Sequence, residues 1–133
     1  MKLTRSFTAA DQLPELLDLA AETARAAGLP DALAFKAQVV LEELFVNIFM
    51  HAYAGQGGTA EITLEAQGGR LLLSVADCGP PFDPLSAAET DLRKRFEQGV
   101  PGGAGLALVR NMVADARYVR EKNRNILHLC VEA

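Results

Sequence analysis

The sequence predicts an α+β two-layer sandwich, with a mixed, mostly antiparallel sheet carrying three helices on one face. Three observations lead there. Two long segments near the start carry apolar residues at helical spacing. Two alternating runs, roughly 59–66 and 70–77, flank Gln67-Gly68-Gly69, a hairpin signal. The outer positions of the first run, Glu61, Thr63 and Glu65, are polar, so the helices cover the other face.

The elements follow in order. KLTRSF at 2–7 alternates weakly and reads as a short strand. From Asp11 to Ala27 the pattern is helical, with Leu13, Leu16, Leu17 and Ala20 on one side and Pro14 confined to the first turn. Gly28-Leu29-Pro30 breaks it. A longer helix is expected from Asp31 to Ala54, striped by Leu33, Ala37, Val40, Leu41, Leu44 and Ile48, and stopped by Gly55 to Gly58. After the hairpin, residues 78–101 show no periodic element, and loops of that length in a compact domain are usually functional or disordered. A third helix is expected from Gly103 to Ala114. Strands at 116–121 and 125–132 turn near Asn123, the last with Leu127, Leu129 and Val131 on one side and His128, Cys130 and Glu132 on the other.

Composition narrows the function. The 133 residues suit one domain, 1–133, and half of them are hydrophobic. A net charge of −4 argues against broad nucleic-acid or anionic-membrane binding. No apolar run approaches the roughly 18 residues of a membrane span. Met1-Lys2-Leu3-Thr4-Arg5 lacks the apolar stretch of a secretion signal, and Cys78 and Cys130 have no metal-type spacing. The expectation is a cytoplasmic protein with reduced thiols.

Three segments carry the chemistry: EELFVNIFMHAY at 42–53, DCGPPFDP at 77–84 and GGAGLALV at 102–109. Glu43, Asn47 and His51 recur every four residues along one helix. Phe45, Ile48, Phe49 and Met50 surround the first two, so this stretch is expected to be buried, and a buried carboxylate needs a partner or a task. An amide four residues on offers an oxygen to a hard cation such as magnesium. His51 reads as a helix-end packing or hydrogen-bonding residue. Asp77 closes the row Leu71, Leu73, Val75, where it can accept a hydrogen bond from an amino group such as that of adenine; alone, Asp-x-Gly-Pro is an ordinary turn signal. Gly79 lets the backbone approach a flat ring. Gly102, Gly103 and Gly105 lead into a helix whose first amides favour phosphate. A P-loop and a dinucleotide fingerprint are both missing. The run Arg93-Lys94-Arg95 is a candidate lid over phosphates, or simply a solvated stretch. Together the three segments look like a site for an adenine nucleotide and magnesium.

The set Glu43…Asn47…His51-Ala52-Tyr53, Asp77-x-Gly79…Phe82-Asp83-Pro84 and Gly102-Gly103-Ala104-Gly105-Leu106 resembles the GHKL ATPase superfamily (the Bergerat fold), which includes gyrase, sensor histidine kinases and mismatch-repair ATPases. Within it, the Pro-Phe-Asp-Pro ending, the length and the closing Asn125-Ile126-Leu127-His128-Leu129 resemble the anti-sigma-factor serine/threonine kinases. The resemblance covers essentially the whole chain. It implies Glu43 as general base, Asn47 as magnesium ligand, Asp77 and Gly79 as adenine contacts, and Gly103, Gly105 and the adjoining Leu106 at the phosphates. It also implies ATP and Mg2+, a STAS-domain anti-anti-sigma substrate, a sigma factor as second partner, and a homodimer. The sequence departs from the pattern at Pro81, where many relatives carry a second glycine. Two other readings stay open: a nucleotide-binding interaction module without kinase activity, and a bare ATPase or histidine-kinase catalytic domain working in trans.

Overall fold

The computed structural model describes residues 2–86 and 105–133. Strand β1 (Lys2–Phe7) leads through a short 3-10 turn at Ala10–Gln12 into α1 (Leu13–Ala26), and α2 (Asp31–Val46) follows. Helix α2 continues without a break into a π-helical turn, Asn47–Ala52. The hairpin β2 (Ala60–Gln67) and β3 (Arg70–Asp77), then α3 (Gly105–Met112) and the hairpin β4 (Asp115–Glu121) and β5 (Arg124–Val131), complete the described chain. Arg93-Lys94-Arg95, Gly102, Gly103 and most of the expected lid lie outside the described residues.

The five strands form one sheet in the order β1-β2-β3-β5-β4, antiparallel at every pairing. Local chemistry explains the joints. Gly28 adopts φ +70°, and the Gly28 and Leu29 amides donate to the Arg25 and Ala24 carbonyls at 3.0 and 2.9 Å, a Schellman ending for α1. Both hairpins turn on two residues of positive φ, Gly68-Gly69 at 61° and 77° and Lys122-Asn123 at 51° and 62°, as a type I′ turn requires.

Ile62 and Leu64 of β2, Leu71, Leu73 and Val75 of β3, and Leu127, Leu129 and Val131 of β5 are buried on the helix side. They meet Leu16 and Ala20 of α1 and Leu33, Ala37, Val40, Leu41 and Leu44 of α2 in one core. Phe7, Phe45, Phe49 and Tyr53 run as a chain of rings, with successive centroids 5.6, 4.7 and 5.8 Å apart. This chain links the sheet edge to the end of the π turn. The stretch around Glu43 is less enclosed than its composition suggests. Val46 is 39% and Met50 56% exposed, because α1, α3 and the sheet flank α2 and leave its outer side to water.

Candidate functional site

Asp77 ends β3 on its core-facing side, only 9% exposed. Its backbone is paired with Ala60 of β2 and Asn125 of β5, so the carboxylate is held from both sides. Oδ1 accepts the Gly79 amide at 2.8 Å and the Asn125 amide nitrogen at 3.0 Å. Among the described residues Oδ2 makes no hydrogen bond, which leaves an acceptor at the end of a buried strand. Gly79 is packed so tightly that a Cβ there would lie 3.0 Å from both Ala52 Cβ and Asp77 Oδ1. The expected glycine requirement is therefore met by space, with no need for a special backbone angle.

Asn125 organises the loop beyond Asp77. Its Nδ2 also donates to the Pro80 carbonyl at 2.9 Å, and its Oδ1 accepts the Phe82 amide at 3.2 Å and the Tyr118 hydroxyl at 2.5 Å. Arg120 Nη1 adds a bond to the Gly79 carbonyl at 2.8 Å. Sequence reasoning read Asn125 only as part of the closing strand. A signal was present, since Asn125 has the same parity as Leu127, Leu129 and Val131 and so puts an amide on the core face, where it needs partners.

Across from Asp77, Asn47 opens the π turn. There Tyr53 N–H bonds to the Ile48 carbonyl, five residues back, at 2.9 Å. Such wide turns occur often at functional sites. A cavity of about 20 Å³ is lined by Asn47, Ala52, Asp77, Phe82, Tyr118 and Asn125, among others. Beside it a cleft of about 230 Å³ lies among Asn47, His51, Ala52, Pro80, Pro81 and Phe82. The first has room for about one water. Phe82 belongs to both walls and stands between the cleft and the Asp77 cavity. His51 is exposed at the cleft edge, beside Asn47.

Glu43 lies one turn before Asn47 and is half-buried; neither side chain hydrogen-bonds to another described residue. Gly105 starts α3 directly against Glu43, and a Cβ at 105 would run into Glu43 Oε2. Leu106 is partly buried against the core. Glu43, Gly105 and Leu106 line neither cavity. Thus Asn47 and Asp77 line one small cavity, Gly79 packs against its walls at Ala52 and Asp77, Glu43 and Gly105 form a separate contact, and Gly103 lies outside the described residues.

Among the described residues, no group of three or more His, Cys, Asp or Glu could hold a metal. A lone amide matches magnesium, which takes most of its ligands from water and phosphates and so would arrive with a nucleotide. The donor set fits an adenine nucleotide with that ion.

An antiparallel sheet lies under helices, and a buried carboxylate at the end of a strand shares a cavity with an Asn of a helix, an arrangement that suits a nucleotide-binding domain. The chain belongs to the histidine kinase-like ATPase domain family, whose pattern matches residues 7–131. It is 31% identical over 98 residues to the serine/threonine-protein kinase BtrW of Bordetella bronchiseptica, covering 73% of this chain and 69% of that protein. Among solved structures, a chain of the SiaB–SiaC complex from Pseudomonas aeruginosa superposes with a TM-score of 0.60 at 14% identity, covering 96% of this chain and 88% of the other. That likeness shows the fold. Among the described residues no helix is long and apolar enough to cross a membrane.

Proposed function

We propose that this chain is an ATP-dependent protein serine/threonine kinase that acts as an anti-sigma regulatory factor and phosphorylates a STAS-domain antagonist. The observation that carries the reading is Asp77, buried at the end of β3 with Oδ2 unbonded over a cleft that Asn47 shares. The similarity to a protein named as a serine/threonine kinase supports phosphotransfer to a hydroxyl. The neighbour solved as a two-protein complex supports a protein partner.

In this reading Asp77 Oδ2 accepts the adenine amino group, and Gly79 keeps the backbone close to the ring. Asn47 offers its amide oxygen to magnesium, which when bound offsets phosphate charge. Glu43 takes the proton of the acceptor hydroxyl as the hydroxyl oxygen bonds to the terminal phosphorus and the bond to the departing ADP oxygen breaks. Gly103, Gly105 and Leu106 serve the phosphate side, where the start of α3 would present free amides. A two-fold homodimer through the polar outer sheet face and β1, a sigma factor as second partner, and a cytoplasmic location complete the proposal. The free thiols of Cys78 and Cys130 agree with a reducing compartment.

The test is incubation with labelled ATP, magnesium and a STAS-domain protein from the same genome. Label should pass to the STAS protein. Glu43→Ala should keep nucleotide and lose transfer by roughly 10²–10⁴-fold. Nucleotide binding without transfer to any such protein would replace the kinase with an interaction module. Transfer at the wild-type rate in Glu43→Ala would remove Glu43 from its role.

A further inference from the structure

Beyond the residues that line the cleft, one side chain stands at the open end of the β2–β3 ladder. Tyr53 follows the π turn, and its hydroxyl donates to the Thr59 carbonyl at 2.7 Å while accepting the Cys78 amide at 2.7 Å. Ala60 and Asp77 are the last paired residues of β2 and β3 at this end, so Thr59 and Cys78 would form the next pair. The phenol oxygen stands between them, where direct backbone pairing would otherwise continue. One residue later Gly79 turns back to donate to Asp77 Oδ1 at 2.8 Å. The ring is fixed on both sides: Phe49 packs at 5.8 Å between centroids, and a Cβ on Gly58 would lie 2.5 Å from ring atoms Cε2 and Cζ. Tyr53 lines neither cavity of the cleft. Its hydrogen bonds go only to backbone atoms, those of Thr59 and Cys78.

We propose that Tyr53 is a positioning residue for nucleotide binding: its hydroxyl wedges the β2–β3 ladder open just past Asp77 and so turns Gly79 back onto Asp77, ahead of the cleft-lining Pro80, Pro81 and Phe82. This role rests on the adenine-nucleotide reading given above. With the hydroxyl gone, the Cys78 amide and the Thr59 carbonyl are free to pair with each other. That pairing lengthens the ladder by one step and draws Gly79 away from Asp77. Stability is then largely kept, because one backbone bond replaces two bonds to a side chain, while the site loses its shape.

The test is the affinity of the purified chain for Mg-ADP by calorimetry, with urea unfolding measured in parallel. Tyr53→Phe keeps the ring and removes only the oxygen. It should weaken ADP binding roughly 5–30-fold, the scale of one or two lost hydrogen bonds, with the unfolding midpoint little changed. A residue with a merely structural role would give the opposite split, a lower midpoint and intact affinity in the folded fraction. Gly58→Ala pushes the same ring from its other side and should lower ADP affinity in the same direction, so the role remains testable if Tyr53→Phe folds poorly. Wild-type affinity in both variants would overturn the role of Tyr53 alone. Failure of the wild type to bind ADP would overturn the nucleotide reading, and this role with it.

Discussion

Asn125→Ala is the sharpest test of what holds the loop after Asp77 in place. The amide is 5% exposed, and its loss strips five partners: Asp77 Oδ1, the Pro80 carbonyl, a long 3.5 Å bond to the Gly79 carbonyl, the Phe82 amide and the Tyr118 hydroxyl. The bond to a charged carboxylate contributes about 1.5–3 kcal/mol and each neutral one about 0.5–1.5. Pro80 and Phe82 are exposed, so water recovers part of the neutral share. A net loss of about 2–4 kcal/mol in unfolding free energy is expected. With a urea slope of about 1.5 kcal/mol/M, the midpoint should drop by roughly 2 M at unchanged slope. Asn125→Asp separates the two arms of the amide. It keeps an acceptor for Phe82 and Tyr118 but sets a second carboxylate against Asp77, in place of a bond now 3.0 Å long. It should therefore be the less stable variant at pH 7, recovering as the pH falls and the pair shares a proton. An Asn125→Asp protein as stable at neutral pH as the wild type would refute the assignment of the donor arm to Asp77.

Further outcomes follow from the same geometry. Asp77→Ala should weaken ADP binding by about 1–3 kcal/mol, read by calorimetry on protein shown by circular dichroism to be folded. Gly79→Val should lower stability by about 1–3 kcal/mol in urea, because its Cβ begins 3.0 Å from Ala52 Cβ and Asp77 Oδ1. Gly105→Ala suits a helix better than glycine, yet its Cβ meets the Glu43 carboxylate; phosphotransfer should fall by more than ADP affinity does in a filter-binding assay. His128 titrates below the ordinary imidazole value of 6.5, through burial first and the neighbouring Arg117 second, against an opposing pull from Glu121. The unfolded chain therefore binds its proton first as pH falls, and stability should decline as pH drops from 6.5 toward the lower folded value. His128→Gln should flatten that part of the stability–pH curve.

Much of the fold was legible because its signals are local. Alternation marked β2, β3 and β5, Gly68-Gly69 marked the first hairpin, and polar Glu61, Thr63 and Glu65 marked the bare sheet face. The acceptor at Asp77 was legible for the same reason, as a charge ending an apolar row. What escaped depends on pairing between distant strands. That Asn125 lies beside Asp77 follows only from the β3–β5 register, with 48 residues between them. Tyr118 and Arg120 join the site through the β4–β5 hairpin, and nothing near them in sequence marks the loop they hold. The π turn escaped as well. NIFMHA contains no glycine or proline, so no local signal marks its wide winding.

That winding has a consequence for how the chain tolerates length changes. A π turn carries a surplus residue relative to the α-helix it extends, and a helix of 47–52 could be made regular by deleting one position. The deletion would look harmless, even favourable, by helix propensity. Yet each residue of an α-helix turns the chain about 100° and advances it about 1.5 Å, so everything after the cut would swing round the helix axis. The Tyr53 hydroxyl could no longer reach both Thr59 and Cys78, which it now bridges at 2.7 Å each. The surplus residue thus acts as a spacer that keeps the Tyr53 hydroxyl in register with the ends of β2 and β3.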